Sequence, residues 1–215
     1  MSEQAIKVLL VDDHTVVRAG FRMLLASQSF IGDIVDVDRG ELATQEYNRF
    51  QPDVVVMDLS MPGIGGLETI RRLCKNNPDA VILVYSIHDE AIYVERALQA
   101  GAKGYVSKNS AAEVLAEAVA VVASGKRYIE RDLLPKVDDV REAGPEYIKE
   151  AVTALSPREF DVFCLLAKGK TAHEISADMC LSYKTVSNYS THIKSKLKAS
   201  TAADLANVAM VLGLI

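Results

Sequence analysis

The chain has 215 residues, 49% of them hydrophobic and 25% charged, with a formal net charge of -5, which suits one large or two ordinary domains with ample core. Its apolar stretches fall far short of the ~20 residues of a membrane helix, and Met1 to Lys7 lacks a signal-peptide layout, so a cytoplasmic protein without membrane contact is expected. Cys74, Cys164 and Cys180 show no C-x-x-C spacing; they suggest neither a disulfide framework nor zinc, and read as small buried hydrophobes.

Short Val/Ile/Leu runs without alternation lie at Lys7 to Val11, Ile34 to Val37, Val54 to Met57, Val81 to Tyr85 and Gly104 to Val106. Such runs read as strands buried on both faces, hence a parallel sheet covered by helices. Helical stretches of about a dozen residues alternate with them. Val17, Phe21, Leu24 and Leu25 line one face of the first, and Val114, Ala118, Val121 and Val122 one face of the last. Five such units close a domain over residues 1–124. Residues 125–153 then turn to mixed charge with Pro135, Gly144 and Pro145, and read as a linker, partly helical at most.

From Ala154 onward only helix starts remain. Ser156-Pro157-Arg158-Glu159 is a capping box with Pro at the first helical position, and Thr171-Ala172-His173-Glu174 is a second. Ser182 and Thr201 are further N-caps, and Gly169 suits the end of the first helix. Four short helices over 154–215 follow. Charge divides along the same line: residues 1–125 hold 11 Lys/Arg against 17 Asp/Glu, and 154–215 hold 7 against 5.

Four polar residues close strand runs: Asp12 and Asp13 after the first, Asp58 after the third, and Lys108 just past the fifth. Ligands of open parallel sheets sit outside the carboxyl ends of the strands, so three carboxylates and one ammonium converge on one edge. Carboxylates so crowded repel strongly unless a cation sits among them.

The residues Val11-Asp12-Asp13-His14, Met57-Asp58-Leu59-Ser60-Met61-Pro62-Gly63 with Gly66, then Ser86, and Gly101 to Lys108 resemble the receiver domain of bacterial two-component response regulators. The resemblance implies a flavodoxin-like, doubly wound, parallel five-stranded α/β domain. It also implies that Asp58 is phosphorylated by a partner histidine kinase. Mg²⁺ held by Asp13 and Asp58, with Asp12 acting through water, would offset the charge of the incoming phosphate with hard oxygen ligands. The family pattern adds the backbone of Ser60 as a ligand. Lys108 and the Ser86 hydroxyl would contact phosphate oxygens. By resemblance, Ser86 and Tyr105 form a switch in which Tyr105 turns from exposed to buried. His14 is expected to begin the first helix and face solvent. Where the receiver pattern often has Pro after the lysine, this chain has Asn109, which bears on the shape of the following loop.

Leu155 to Glu159, Leu165 to Lys170, Glu174-Ile175-Ser176 and Leu181-Ser182-x-x-Thr185-Val186 through Lys196-Leu197 look like the all-α, four-helix, LuxR-type helix-turn-helix of the NarL/FixJ regulators. On a helix from Tyr183 to Lys198, Val186, Tyr189, Ile193 and Leu197 share one face. The other presents Lys184, Ser187, Asn188, Thr191, Lys194 and Lys198, the division required of a recognition helix in the major groove of promoter DNA. Asn188 could read adenine, while Lys184, Lys194 and Lys198 would mainly touch phosphates; Thr185 joins them as a candidate contact. Ser187 and Tyr189 stand where many members have Lys and His, so a dimer on DNA is expected. Leu205, Val208, Ala209 and Leu212 could form that dimer contact or complete the small core. The chain then regulates transcription and is no enzyme beyond its own phosphorylation and dephosphorylation. A regulator with a small-molecule pocket, an Asp-dependent phosphatase and a protein-docking output domain are the competing classes. The absence of Trp argues against the first, and Asp12-Asp13 in place of D-x-D against the second.

Overall fold

A computed structural model describes residues 5–134 and 146–215. The chain divides into two compact units, the first essentially the residues through Leu134 and the second those after it. The first unit alternates β1 (Ile6–Val11), α1 (Thr15–Ala26), β2 (Ile31–Val37), α2 (Gly40–Phe50), β3 (Val54–Met57), α3 (Gly66–Asn76), β4 (Ile82–Ser86), α4 (Ala91–Ala100), β5 (Gly104–Ser107), α5 (Ala112–Ala123) and β6 (Tyr128–Ile129). All strand pairs are parallel, in the order β2-β1-β3-β4-β5-β6.

The apolar runs form strands because both of their faces are covered. β3, β4 and β5 are buried at every position, as is β1 from Val8 onward. On one face, Val8, Leu10, Val54, Val56, Leu83 and Val106 pack with Leu25 of α1 and Leu115, Ala118, Val119 and Val122 of α5. Helices α2 and α3 contact each other, as do α1 and α5. Because β1 lies between β2 and β3, strand order reverses there, and a crevice opens at the carboxyl ends of β1 and β3. Asp12, Asp13 and Asp58 begin just beyond those ends.

The five-stranded expectation is corrected to six. Tyr128 and Ile129 form β6 inside the segment expected to be linker, pairing with Gly104 and Tyr105. Two residues are too few to show a period, so the strand leaves no pattern in the sequence. It forms because the far edge of β5 offers backbone groups: Tyr128 N–H donates to Lys103 O (3.2 Å) and Glu130 N–H to Tyr105 O (3.1 Å). A short 3-10 turn, Arg131–Leu133, follows. Pro135, Gly144 and Pro145, which suggested the linker, lie outside the described residues.

The second unit is helical: α6 (Glu146–Thr153), α7 (Pro157–Ala167), α8 (Ala172–Asp178), α9 (Tyr183–Lys196) and α10 (Ala202–Val211). The four helices expected after Ala154 are α7 to α10, while α6 adds a fifth at the end of the presumed linker. Capping decides where they start. Ser156 and Thr171 form the full capping boxes with Glu159 and Glu174 that the sequence spelled, Ser182 caps α9, and Thr201 pairs with Asp204 in a third box. Gly169 takes a positive φ of 82° just past α7, where a side chain would be strained. Leu205, Ala209 and Leu212 are buried, so these residues of α10 complete the core. The expectation of three buried cysteines holds for Cys164, while Cys74 is half-buried and Cys180 exposed in the tight turn before α9, with φ 53°. No described helix is long and apolar enough to cross a membrane.

Glu68, in the first turn of α3, accepts hydrogen bonds from Arg71 (2.7 and 2.8 Å) and Arg72 (2.8 Å). Arg71 first, then Arg72, hold its pKa down to about 2. A carboxyl depressed in the folded state stabilises above its ordinary pKa and loses that contribution as pH falls through the folded value. Glu68→Gln is expected to lower stability near neutral pH by roughly 0.5–1 kcal/mol, given that both arginines are half-exposed. Denaturant midpoints of the two proteins should converge as pH is lowered from about 4.5 towards 2; a gap that widens on acidification contradicts the assignment.

Candidate functional site

The strand-end residues meet as expected. Lys108 Nζ donates to Asp12 Oδ2 (2.5 Å) and to Asp58 Oδ2 (2.7 Å), bridging the ends of β1, β3 and β5. Asp12 and Asp58 are buried, at 6% and 2% exposure. The remaining oxygens accept from the backbone: Asp12 Oδ1 from His14 N–H (2.7 Å) and Asp58 Oδ1 from Ser60 N–H (3.2 Å). Asp13 Oδ1 is also buried, but no hydrogen bond reaches it; His14 Nδ1 lies 3.0 Å away without the geometry for one. Ligand atoms of Asp12, Asp13, His14 and Asp58 all lie within 4.8 Å of one another.

Three carboxylates against one ammonium leave a surplus of negative charge in a half-dry crevice. At 4 Å and an effective dielectric constant near 20, each like-charged pair costs about 4 kcal/mol. Burial pushes the Asp58 carboxyl above the usual carboxylate range; the Lys108 ammonium opposes this, and the charge of Asp12 adds to it. An Asp13 oxygen that accepts no hydrogen bond, beside the carboxylate oxygens of Asp12 and Asp58, fits a hard divalent cation, while the His14 nitrogen at the rim of the cluster is the softer donor.

The loop after Asp58 is shaped by close approach. A Cβ on Gly66 would fall 2.1 Å from Asp58 O and 2.5 Å from Leu59 Cα, so only glycine lets α3 begin against the backbone of Asp58. Gly63 takes φ 76°, and Ile64 N–H donates to Glu41 Oε1 (2.8 Å), a contact across the β3–α3 loop that no local motif announces.

Ser86 ends β4, fully buried and in register with Ser107. Its carbonyl accepts from Lys108 N–H (2.8 Å) and its Oγ from His88 N–H (3.3 Å). Tyr105 is fully buried, its hydroxyl donating to His88 O (2.7 Å). His88 also pairs through Nε2 with Ser60 Oγ (2.9 Å) and stacks on Tyr93 at 4.0 Å between centroids. No local pattern singles out His88; its position two residues past Ser86 is the available cue. His14 does face solvent, with its side chain 61% exposed, although its ring borders the acidic cluster.

In the second unit, Val186 and Ile193 of α9 are buried, with Tyr189 and Leu197 partly so. Lys184, Ser187, Asn188 and Thr191 are exposed on the opposite side, and Lys194 is partly exposed. Two candidates differ from expectation. Thr185 is half-buried, its hydroxyl 2.8 Å from that of the cap Ser182. Lys198 lies beyond the helix, which ends at Lys196, in a left-handed conformation with φ 52°. Lys196 turns inward and donates to Glu159 Oε2 (2.6 Å) and Ala154 O (3.2 Å), fastening α9 to the cap of α7. Burial would raise the Glu159 carboxyl, but Lys196 and the Ser156 N–H outweigh it and lower its pKa.

Residues 8–120 match the response regulator receiver domain, and residues 153–209 match the bacterial regulatory proteins of the luxR family. Over 208 residues the chain is 39% identical to the transcriptional activator protein ExaE of Pseudomonas putida, covering 97% of each. The response regulator UvrY of Escherichia coli is 37% identical, with 97% of this chain and 95% of that protein covered, and the response regulator GacA of Pseudomonas aeruginosa 35%, with 98% of each covered. The chain belongs to the NarL/FixJ family of two-component response regulators. Its domains are thus a receiver and a LuxR-type helix-turn-helix of the kind used in transcription regulation. Among solved structures, a LuxR-family response regulator from an Aurantimonas species has a TM-score of 0.62 at 32% identity, covering 65% of this chain and 99% of that one. The response regulator RcsB in complex with DNA shares the fold, with a TM-score of 0.61 at 23% identity and coverage of 97% and 100%.

Proposed function

We propose that Asp58 accepts a phosphoryl group from a histidine kinase in a Mg²⁺-dependent reaction, and that the resulting charge controls sequence-specific binding of the second domain to promoter DNA as a homodimer. In this reading the receiver spans residues 1–124, the linker 125–153 and the DNA-binding domain 154–215. The observation that carries it is the Lys108 ammonium bridging Asp12 and Asp58 beside a buried Asp13 oxygen that accepts no hydrogen bond.

Asp12, Asp13, Asp58 and the backbone of Ser60 would hold magnesium, which would supply the positive charge that lets an anionic carboxylate approach an anionic phosphoryl group. An Asp58 oxygen attacks phosphorus; the new acyl phosphate O–P bond forms as the P–N bond of the kinase phosphohistidine breaks. Burial, which raises the basicity of the Asp58 carboxylate, also strengthens it as a nucleophile. Lys108 then exchanges its hold on Asp58 for a phosphoryl oxygen, and the Ser86 hydroxyl donates to another. Its shift alters the His88 loop, to which Tyr105 is already hydrogen-bonded, so Ser86 and Tyr105 act as the switch. No external substrate is turned over. On DNA, α9 enters the major groove, with Lys184, Ser187, Asn188, Thr191 and Lys194 along its contact surface, Thr185 at its capped start and Lys198 just past its end.

Incubation with acetyl phosphate and Mg²⁺ is expected to label the protein, and Asp58→Asn to abolish the label. Labelling retained in that variant would overturn the assignment. On promoter fragments found by genomic footprinting, Asn188→Ala should weaken binding by about 1–3 kcal/mol at the preferred site and relax the base preference there. Lys184→Ala should instead weaken all sequences alike and reduce the salt slope by about one. Equal losses on every sequence for Asn188→Ala would remove it from base reading.

A further inference from the structure

Glu130 takes no part in the chemistry just described, yet its carboxylate grips the turn that carries Lys108. It follows β6, and its N–H continues the sheet by donating to Tyr105 O (3.1 Å). The main chain then curls into the 3-10 turn, where Glu130 O accepts from Leu133 N–H (3.0 Å). The Glu130 carbonyl is thereby turned into the 3-10 turn rather than towards the next donor of β5, Ser107 N–H. The Glu130 side chain meets that donor instead: Oε2 accepts from Ser107 N–H (2.8 Å), and Oε1 accepts a short hydrogen bond from the Ser110 hydroxyl. The residue is 9% exposed, so a carboxylate is held away from water by two donors that flank Lys108 and Asn109.

With that clasp, every backbone N–H of the turn has a partner. Ser107 N–H is held by Glu130, Lys108 N–H by Ser86 O (2.8 Å), Asn109 N–H by Ser107 Oγ (3.2 Å) and Ser110 N–H by Ser107 O (3.2 Å). A proline at position 109 could not donate its share. Stiffness that a ring could otherwise supply comes here from hydrogen bonds, two of which end on one side chain.

We infer that Glu130 is a positioning residue for phosphoryl acceptance: it fixes the turn from which Lys108 reaches Asp12, Asp58 and the incoming phosphoryl group. The inference rests on the phospho-acceptor reading of Asp58. Small displacements of such a group are costly in rate, on the order of a hundredfold for 1 Å. The clasp also makes Glu130, just past β6, a support of the turn that bears Lys108.

The test follows the initial rate of Asp58 phosphorylation by acetyl phosphate in the full chain, as a function of donor and of Mg²⁺, for wild type, Glu130→Ala, Glu130→Gln and Ser110→Ala. Glu130→Ala is expected to lower the maximal rate about 10- to 100-fold, while the Mg²⁺ concentration for half-maximal rate stays within about twofold, because the carboxylates of the cation site are untouched. Ser110→Ala, at the rim of the turn, should slow it by less, roughly threefold, since one of the two grips remains. Glu130→Gln should recover most of the rate, as its amide oxygen accepts from Ser107 N–H and its amide NH₂ donates to Ser110 Oγ. Wild-type rates in both Glu130→Ala and Ser110→Ala overturn the inference, as does a defect confined to the Mg²⁺ dependence. If Glu130→Ala does not fold, Ser110→Ala decides on the same criterion. An unlabelled wild type would be a different failure, since it removes the phospho-acceptor reading and this inference with it.

Discussion

Repulsion among Asp12, Asp13 and Asp58 is the constraint around which the first domain is organised. Two of the three are buried, and one ammonium, that of Lys108, bridges them. A protein selected for stability alone would not gather these charges, because each pair works against folding. What the arrangement provides is a place where added positive charge relieves an existing imbalance. Burial pushes the Asp58 carboxyl up, while Lys108, within hydrogen-bond reach, opposes the rise.

The fold concentrates those charges by topology. Reversal of strand order at β1 opens the crevice, and parallel strands deliver their carboxyl ends to it together. Gly66 then allows the next helix to start against the backbone of Asp58. From the other side, β6 and Glu130 hold the turn bearing Lys108. Asp58 and Lys108 are thus set by separate elements, the first anchored at the end of β3 and the second at the sheet edge. In the second domain the corresponding anchor is the Lys196–Glu159 pair, which ties the exposed face of α9 to a capped helix start.

Much of this was legible in the chain itself. Uninterrupted apolar runs announced the buried strands, and the polar residues that end them announced the site, because β-strand burial and strand-end chemistry are both written locally. Capping boxes at Ser156 and Thr171 fixed the helix starts for the same reason. What escaped detection depends on partners distant in sequence. Tyr128 and Ile129 become a strand only because β5 has a free edge, and Glu41, His88 and Glu130 matter through contacts made 20 or more residues away. The expected helix end at Lys198 lies two residues too far, since the apolar period of α9 runs on to Leu197 although the helix itself stops at Lys196. Lys196 showed the reverse: a lysine that composition places on a solvated face is consumed by a carboxylate of another helix.

If relief of crowded negative charge is the driving principle, a divalent cation must stabilise the folded receiver directly, before any phosphodonor is present. The most direct measurement is the thermal or denaturant unfolding midpoint of the full chain against MgCl₂, with NaCl matched for ionic strength, in wild type and Asp13→Asn. Wild-type stability should climb with the logarithm of Mg²⁺, by roughly 2.7 kcal/mol at a hundredfold excess over the dissociation constant, and Asp13→Asn should blunt the climb. A wild-type midpoint indifferent to Mg²⁺ at concentrations of tens of millimolar would contradict the central claim.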